Sequence, residues 1–152
     1  GGEIGELALG CKIEWRGEIV RFEDLVRGRA LESGYLSQRG TYQSTIEILD
    51  LAKSGDRVAI KLINEFIFNL AVGIKAITTI LDPAEFVLGG GIGAREDVRK
   101  MATDQLANLM IDPPILRTSA LGTRAGLVGA MALALSEIRT RAVTGMQSGA
   151  TP

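Results

Sequence analysis

One stretch, residues 56–93, constrains the fold of this chain more than any other. Apolar residues recur at close to helical spacing between Asp56 and Leu81, and their arc is too wide for a helix that keeps one face in solvent. The pattern therefore predicts a long helix that is covered on both sides. Asp82-Pro83 should end this helix, because the residue before a proline is pushed out of helical dihedral angles.

A short strand and a glycine cluster follow the proline. Residues 86–88 are predicted to be a buried strand, and residues 89–93 (GGGIG) let the backbone turn where a side chain would block a close approach. A helix is expected to start near Arg95. This arrangement brings a backbone against a phosphate or a flat ring, although such glycines more often serve a tight turn. The spacing matches neither of the common nucleotide-binding glycine motifs, so both interpretations stay open.

The remaining segments predict a mixed α/β architecture. Ser44 begins a capping-box pattern with Glu47, which predicts a helix from there to about residue 52, and Asp56 is the expected N-cap of the long helix. The other expected elements are a β-hairpin over 4–22, a helix over 23–32, a polar loop over 34–43, a helix over 95–110, a strand over 115–121, a final helix rich in small residues over 125–135 and a disordered tail over 143–152.

Composition limits the sites and partners that the chain can have. The net charge of −1 favours neither nucleic acid nor an anionic membrane surface. The chain has no histidine, and its single cysteine, Cys11, cannot form a zinc site alone. Lys61, Glu65 and Lys75 interrupt the longest apolar helix, so no membrane span is expected. No signal peptide is recognisable, and we expect a cytoplasmic protein.

Three segments match one family pattern in order and spacing. Residues 2–5 read GEIG and are followed by Glu6, residues 81–92 read LDPAEFVLGGGI, and residues 125–130 read AGLVGA. They resemble the G-E-[IL]-G-H, L-D-P-x-x-[IV]-[IV]-[IVL]-G-G-G-[IV] and A-x-L-[IV]-G-A segments of the ROK family of sugar kinases and sugar-responsive repressors. The resemblance covers nearly the whole chain but only the C-terminal half of the family's fold.

The resemblance implies an α/β fold of the actin-like ATPase (ribonuclease-H-like) type, in which sugar and nucleotide lie in the cleft between two lobes. Residues 1–142 would form the C-terminal lobe, with an N-terminal β-hairpin and long packed helices. The chain starts without methionine, on a glycine-rich run that looks mid-domain, so we expect a fragment of a longer protein.

The resemblance also implies site residues. Glu3 and Glu23 match glutamates that hold sugar hydroxyls, and Glu6 stands where the family has a histidine that contacts sugar. Carboxylates suit vicinal hydroxyls because each oxygen accepts a charge-assisted hydrogen bond. The glycines that lie beside the adenosine in the family are matched by Gly89, Gly90 and Gly91.

The zinc-binding pattern of the family is absent. In zinc-bearing members, G-H is followed by C-x-C-G-x-x-G-C-x-E, whose histidine and cysteines bind the metal. Aligned on Glu23, these four positions hold Glu6, Glu14, Arg16 and Arg21. We therefore expect no zinc and no other metal site. Either a salt-bridged cluster replaces the metal, at about 0–1 kcal/mol for each exposed pair, or the hairpin has simply lost its site.

The phosphate-binding D-x-G-x-T and the catalytic aspartate of the family lie upstream of G-E-I-G, and neither occurs in residues 1–152. Phosphoryl transfer requires positioned phosphates, a metal ion and a group that orients the attacking hydroxyl. We therefore assign no catalytic residue and expect the isolated chain to be inactive as a kinase. ATP and Mg²⁺ are cofactors that the resemblance implies for the full-length protein.

Three functions are compatible with the sequence. The first is the sugar-binding lobe of a ROK-type sugar kinase, which would act as an ATP:sugar phosphotransferase once joined to its N-terminal lobe. The second is the effector and dimerisation domain of a sugar-responsive repressor without kinase activity, which the loss of the histidine slightly favours. The third is a structural module that dimerises through apolar helices. The expected partners are a small sugar and a second copy of the chain, without direct nucleic-acid contact and without a membrane.

Overall fold

The computed structural model describes residues 21–148 of the 152-residue chain. It contains seven α-helices and one two-stranded sheet in this range, and the predicted hairpin over 4–22 lies almost entirely outside it. The elements in chain order are α1 (Phe22–Val26), α2 (Gly28–Arg39), α3 (Thr45–Lys53), α4 (Arg57–Leu81), β1 (Glu85–Leu88), α5 (Gly90–Gly93), α6 (Glu96–Leu109), β2 (Ile115–Thr118), a 3₁₀ turn (Gly122–Arg124) and α7 (Ala125–Ser148).

Helix α4 is the centre of the fold, and its ends are where the sequence predicts them. Asp56 is its N-cap and accepts a 2.9 Å hydrogen bond from the Ala59 N–H. At the other end Asp82 adopts a left-handed conformation with φ of 44°, and its N–H donates to the Thr78 carbonyl. Helices α1, α2, α3 and α6 all pack against α4.

The prediction that α4 is covered on both sides is wrong for the described part of the chain. The apolar side chains that face the core are buried, but a second face is exposed along Lys61, Glu65 and Phe68. The polar residues that interrupt the apolar pattern are the reason, because they remain solvated on the outer face. The buried residues of the inner face are Ala59, Leu62, Ile63, Phe66, Ile67, Ala71, Gly73, Ile74 and Ile77.

The polar loop predicted over 34–43 is wrong for residues 34–39, because α2 continues to Arg39, and correct for residues 40–43. Tyr35 is buried in the core. The packing of its ring there stabilises the helical conformation of a segment whose neighbouring residues are polar. Gly34 lies against α4, where a Cβ atom would come within 2.8 Å of Leu62 Cδ2. Gly40, with φ of 72°, ends the helix in a left-handed conformation that glycine adopts readily.

Strands β1 and β2 pair in parallel, with Glu85 beside Ile115 and Leu88 beside Thr118. Helix α6 connects them and packs against α4 and β2. The prediction of a buried strand after the proline is only partly correct, because side chains of β1 alternate between half-buried and exposed, and Val87 is 60% exposed. Within the described residues, one face of the sheet is therefore exposed to solvent.

Helix α7 is largely uncovered over residues 126–140. Its large apolar side chains between residues 127 and 138, including Leu133 and Ile138, are exposed. The helix extends to Ser148 and so includes residues 143–148, which the composition placed in a disordered tail. No helix in residues 21–148 has both the length and the hydropathy that a membrane span requires.

Candidate functional site

A groove of about 360 Å³ lies where the first turns of three helices meet the glycine cluster. Its walls come from the start of α2, the start of α3, the short helix α5 and the residue before α6. Two isoleucines give it an apolar surface, and one carboxylate and one guanidinium give it charge. The lining residues are Gly28, Glu32, Ser44, Thr45, Ile46, Gly91, Ile92 and Arg95.

The starts of α2 and α3 are fixed to each other by one carboxylate. Glu32 Oε1 accepts hydrogen bonds from the Thr45 N–H at 3.1 Å and from Thr45 Oγ1 at 2.9 Å. Gly28 permits this close approach, because a Cβ atom at that position would lie 2.6 Å from Thr45 Oγ1. The two walls of the groove on this side therefore form one rigid unit.

The capping box predicted at Ser44 is confirmed and orders the same wall. Ser44 N–H donates to Glu47 Oε2 at 2.7 Å, and the Glu47 N–H donates to Ser44 Oγ at 3.4 Å. Hydrogen bonds from the side chain and the backbone of Ser44 lower the pKa of the Glu47 carboxyl. Residues 44–46 are thereby held at the edge of the groove.

The glycine cluster forms the opposite wall, but only one of the three predicted glycines lines the groove. Gly89 follows β1 and lies near Ser119, and Gly90 has a φ of 76° that favours glycine. Gly91 borders the groove, has no left-handed φ, and has open space around the position that a Cβ atom would take. The site thus has a free volume directly above the Gly91 backbone.

Arg95 stands at the fourth side of the groove in a network of charges. Its Nε and Nη2 atoms donate to the two carboxylate oxygens of Asp97, at 3.0 and 2.7 Å. Asp97 also accepts from Lys53 Nζ at 3.0 Å and from the Val98 N–H at 2.9 Å. The hydrogen bonds from Arg95, with smaller contributions from Lys53 and Val98, hold the pKa of Asp97 far below its usual value. The network links the end of α3 to the start of α6.

We expect Asp97→Asn to lower the free energy of unfolding by roughly 1–2 kcal/mol at pH 7, because two charged partners lose a partly buried carboxylate. The folded-state pKa is depressed below the unfolded value of about 3.9. This stabilisation is therefore fully present above about pH 4 and is lost as the pH falls through the folded-state pKa. Urea unfolding between pH 3 and pH 7 measures it, and the variant should lose part of the acid dependence that the parent shows. If the unfolding free energy of Asp97→Asn depended on pH in the same way as that of the parent, Asp97 would not be a source of the acid dependence.

The other predicted site residues are not part of the groove. Glu23 lies on α1 and is exposed, and its Oε1 atom is 4.0 Å from Arg21 Nη1. Glu3 and Glu6 lie outside residues 21–148, as do Glu14 and Arg16 of the family's zinc pattern, whereas Arg21 lies directly before α1. No cluster of potential metal ligands occurs among the described residues. The absence of zinc stays a prediction.

Sequence reasoning missed most of the groove. The sequence pattern assigns Gly28, Glu32 and Thr45 only to helices and Arg95 only to a helix start. A local pattern cannot reveal them, because the groove joins residues that are distant in the chain. The one available signal was that Arg95 follows the glycine cluster and precedes two acidic residues, which is an arrangement that fixes an arginine side chain.

Comparison with known proteins gives consistent relatives. The family model described as ROK family matches residues 20–137. The N-acetyl-D-glucosamine kinase of Haemophilus influenzae is 32% identical over 119 residues, which are 76% of this chain and 39% of that protein. The chain spans about two fifths of the length of the first curated relatives that it matches. In two further relatives the matched region covers 44% and 37% of the relative's length.

Solved structures show the same relationship. The ROK hexokinase from Thermus thermophilus is 30% identical and superposes with a TM-score of 0.73 over 92% of this chain and 49% of that one. A ROK family protein from Streptococcus pneumoniae TIGR4, solved in complex with sucrose, is 20% identical with a TM-score of 0.80, over 92% of this chain and 50% of that one.

Proposed function

Because the chain belongs to the ROK family, we propose that it forms the C-terminal lobe of an actin-like sugar kinase. In this proposal the lobe contributes one wall of a nucleotide pocket and several sugar contacts, and a preceding lobe contributes the phosphate-binding and catalytic groups. ATP supplies the transferred phosphoryl group, with Mg²⁺ at its phosphates. The substrate is a small sugar, as the names of the kinase relatives indicate.

The groove beside the glycine cluster is the observation that carries this proposal. Its volume of about 360 Å³ is within the range of about 300–1,000 Å³ that small-molecule sites occupy. Gly91 leaves its backbone uncovered, so a flat ring or a ribose can approach closely. The groove also combines apolar walls from Ile46 and Ile92 with a few fixed polar groups, which is the usual construction of a ligand site.

The sugar contacts of the proposal are Glu23, Glu3 and Glu6, by resemblance to the family. Glu23 is exposed on α1, which leads directly into α2 and the Gly28 wall of the groove. A sugar bound by Glu23 would therefore lie on the same side of the lobe as the start of α2, which forms one wall of the groove. The carboxylate accepts hydrogen bonds from sugar hydroxyls and does not itself transfer a proton in this proposal.

Substitution of Gly91 tests the nucleotide part of the proposal in the 152-residue chain. We expect Gly91→Gln to weaken the binding of AMPPNP at least tenfold, because the new side chain occupies the free space above the backbone without left-handed strain. Amide chemical-shift changes in NMR spectra during titration measure the affinity. Gly126→Gln is the matched control, since Gly126 also has open space around it but lies on α7.

The outcomes of this titration separate the alternatives. Parent and Gly126→Gln chains should show saturable shifts at Ile92 and its neighbours, and no turnover of ATP with N-acetylglucosamine or glucose should occur in the isolated chain. A parent chain that binds sugar but never AMPPNP would instead favour the repressor effector domain. Equal affinity in Gly91→Gln would show that nucleotide does not use this groove.

Association through the open apolar surface belongs to the same proposal. Exposed apolar residues of α7 and the sheet, such as Leu133 and Val87, are available for a second lobe or a second copy of the chain. Burial contributes about 25 cal/mol for each Å² of apolar surface, so this surface favours association. A homo-oligomer stays a prediction, to be checked by sedimentation equilibrium at micromolar concentration.

A further inference from the structure

We propose that Arg95 is the residue that receives the purine base of a bound nucleotide, by stacking the face of its guanidinium on the ring, and that Asp97 positions it for this. This inference rests on the proposed function of the groove. It goes further by naming the residue that contacts the base of the nucleotide. It assigns a role to an arginine that the family resemblance does not identify.

The geometry of Arg95 makes its guanidinium a fixed plane. Two of its three nitrogens bind Asp97 in a bidentate arrangement at 3.0 and 2.7 Å. Asp97 is itself held by Lys53 and by the Val98 N–H. An arginine side chain normally loses considerable rotamer entropy when it binds a ligand, and here the ion pair has already fixed it.

The bidentate bond uses the edge of the guanidinium, so its faces take no part in the bond to Asp97. Arg95 is half-buried and lines the groove, so part of its side chain faces the free volume beside Gly91. A planar, weakly hydrated cation stacks well on an aromatic ring. The two isoleucine side chains of the groove, Ile46 and Ile92, supply the apolar contacts that a purine requires on its remaining surface.

The charge of the groove favours a base over a phosphate at this position. Glu32 contributes a carboxylate to the lining, and Asp97 already neutralises the arginine. A phosphate placed here would meet one negative group and a cation whose charge is compensated. A neutral purine avoids this repulsion, and its amino group can donate to the hydroxyl oxygens of Ser44 and Thr45, whose own protons are bound by Glu47 and Glu32.

Arg95→Lys is the decisive variant, because it keeps the charge and removes the plane. In the 152-residue chain we expect it to weaken the binding of adenosine by about three- to thirtyfold and the binding of AMPPNP by the same factor, because the contact that is lost is with the base and not with the phosphates. In the parent chain, the Nε–H resonance of Arg95 should shift upfield when adenosine binds, because the proton then lies over an aromatic ring. A residue that only supports the fold would show no such ring-current shift.

Asp97→Asn tests the positioning role at a temperature where the variant remains folded. We expect weaker adenosine binding and a smaller upfield shift of the Arg95 signal. Unchanged adenosine affinity in folded Asp97→Asn would overturn the positioning role. Adenosine affinity within twofold of the parent in Arg95→Lys, or weaker binding of AMPPNP in Arg95→Gln with adenosine binding intact, would overturn the stacking role.

The proposed function and this inference fail in different ways. A parent chain without any response to AMPPNP would contradict the nucleotide groove itself. A parent chain that binds AMPPNP and loses it in Gly91→Gln, but retains it in Arg95→Lys, would contradict only the role of Arg95.

Discussion

We expect Leu106→Ala to lower the free energy of unfolding by about 2–5 kcal/mol, which is a large part of the stability of a domain of this size. Leu106 is fully buried on α6, with 0% of its surface exposed, and belongs to the cluster that α6 forms with α4. The substitution removes three buried carbon atoms and leaves a cavity that the surrounding helices fill only in part. Urea unfolding followed by circular dichroism measures the change.

Leu135→Ala is the control for this prediction. Leu135 is 57% exposed on α7, so the same chemical change should alter the free energy of unfolding of the isolated chain by less than about 0.5 kcal/mol. A loss below about 1 kcal/mol in Leu106→Ala would mean that α6 does not pack on α4 as described.

The second large effect is expected at Gly73, where α1 crosses α4. A Cβ atom at this position would lie 2.3 and 2.4 Å from Cε2 and Cζ of Phe22, whose side chain is 8% exposed. Gly73→Ala must therefore displace the Phe22 ring, and with it α1, at a cost of about 1–3 kcal/mol. Alanine otherwise stabilises a helix by about 1 kcal/mol relative to glycine, so we expect a net loss in the free energy of unfolding that is smaller than the cost of displacing the ring.

Gly126→Ala and a double variant complete this experiment. Gly126 is on α7 with open space around it, so alanine there should be neutral or stabilising. Phe22→Leu shortens the side chain that Gly73→Ala displaces, so the double variant should lose less stability than the sum of the two single variants. Additive losses would show that the ring and the glycine are not in contact.

The parts of the fold that were predictable are those that depend on local chemistry. Ser44 and Asp56 satisfy the free N–H groups of a helix start within three residues of themselves, and Asp82-Pro83 stops a helix whatever surrounds it. Their positions can therefore be deduced without knowledge of the tertiary structure. The glycine cluster was recognised for the same reason.

The parts that were missed depend on tertiary contacts. Residues 34–39 are polar enough for a loop, and they are helical because Leu31 and Tyr35 pack into the core beside α4. Whether the second face of α4 is exposed likewise depends on which helices pack against it in the folded structure. For the site, the family resemblance identified Gly91 but not Glu32 or Arg95, since these residues meet only after the chain has folded.

The parallel pairing of β1 with β2 has a further consequence for how the molecule assembles. Helices α2, α3 and α4 follow one another in sequence and pack on each other, so their contacts close short loops and form rapidly. The pairing of Glu85 with Ile115 and the meeting of Gly28 with Arg95 both require distant segments to come together. Chain entropy therefore opposes the formation of the groove more than it opposes the contacts among α2, α3 and α4, and the binding surface depends on a helical scaffold that is already in place.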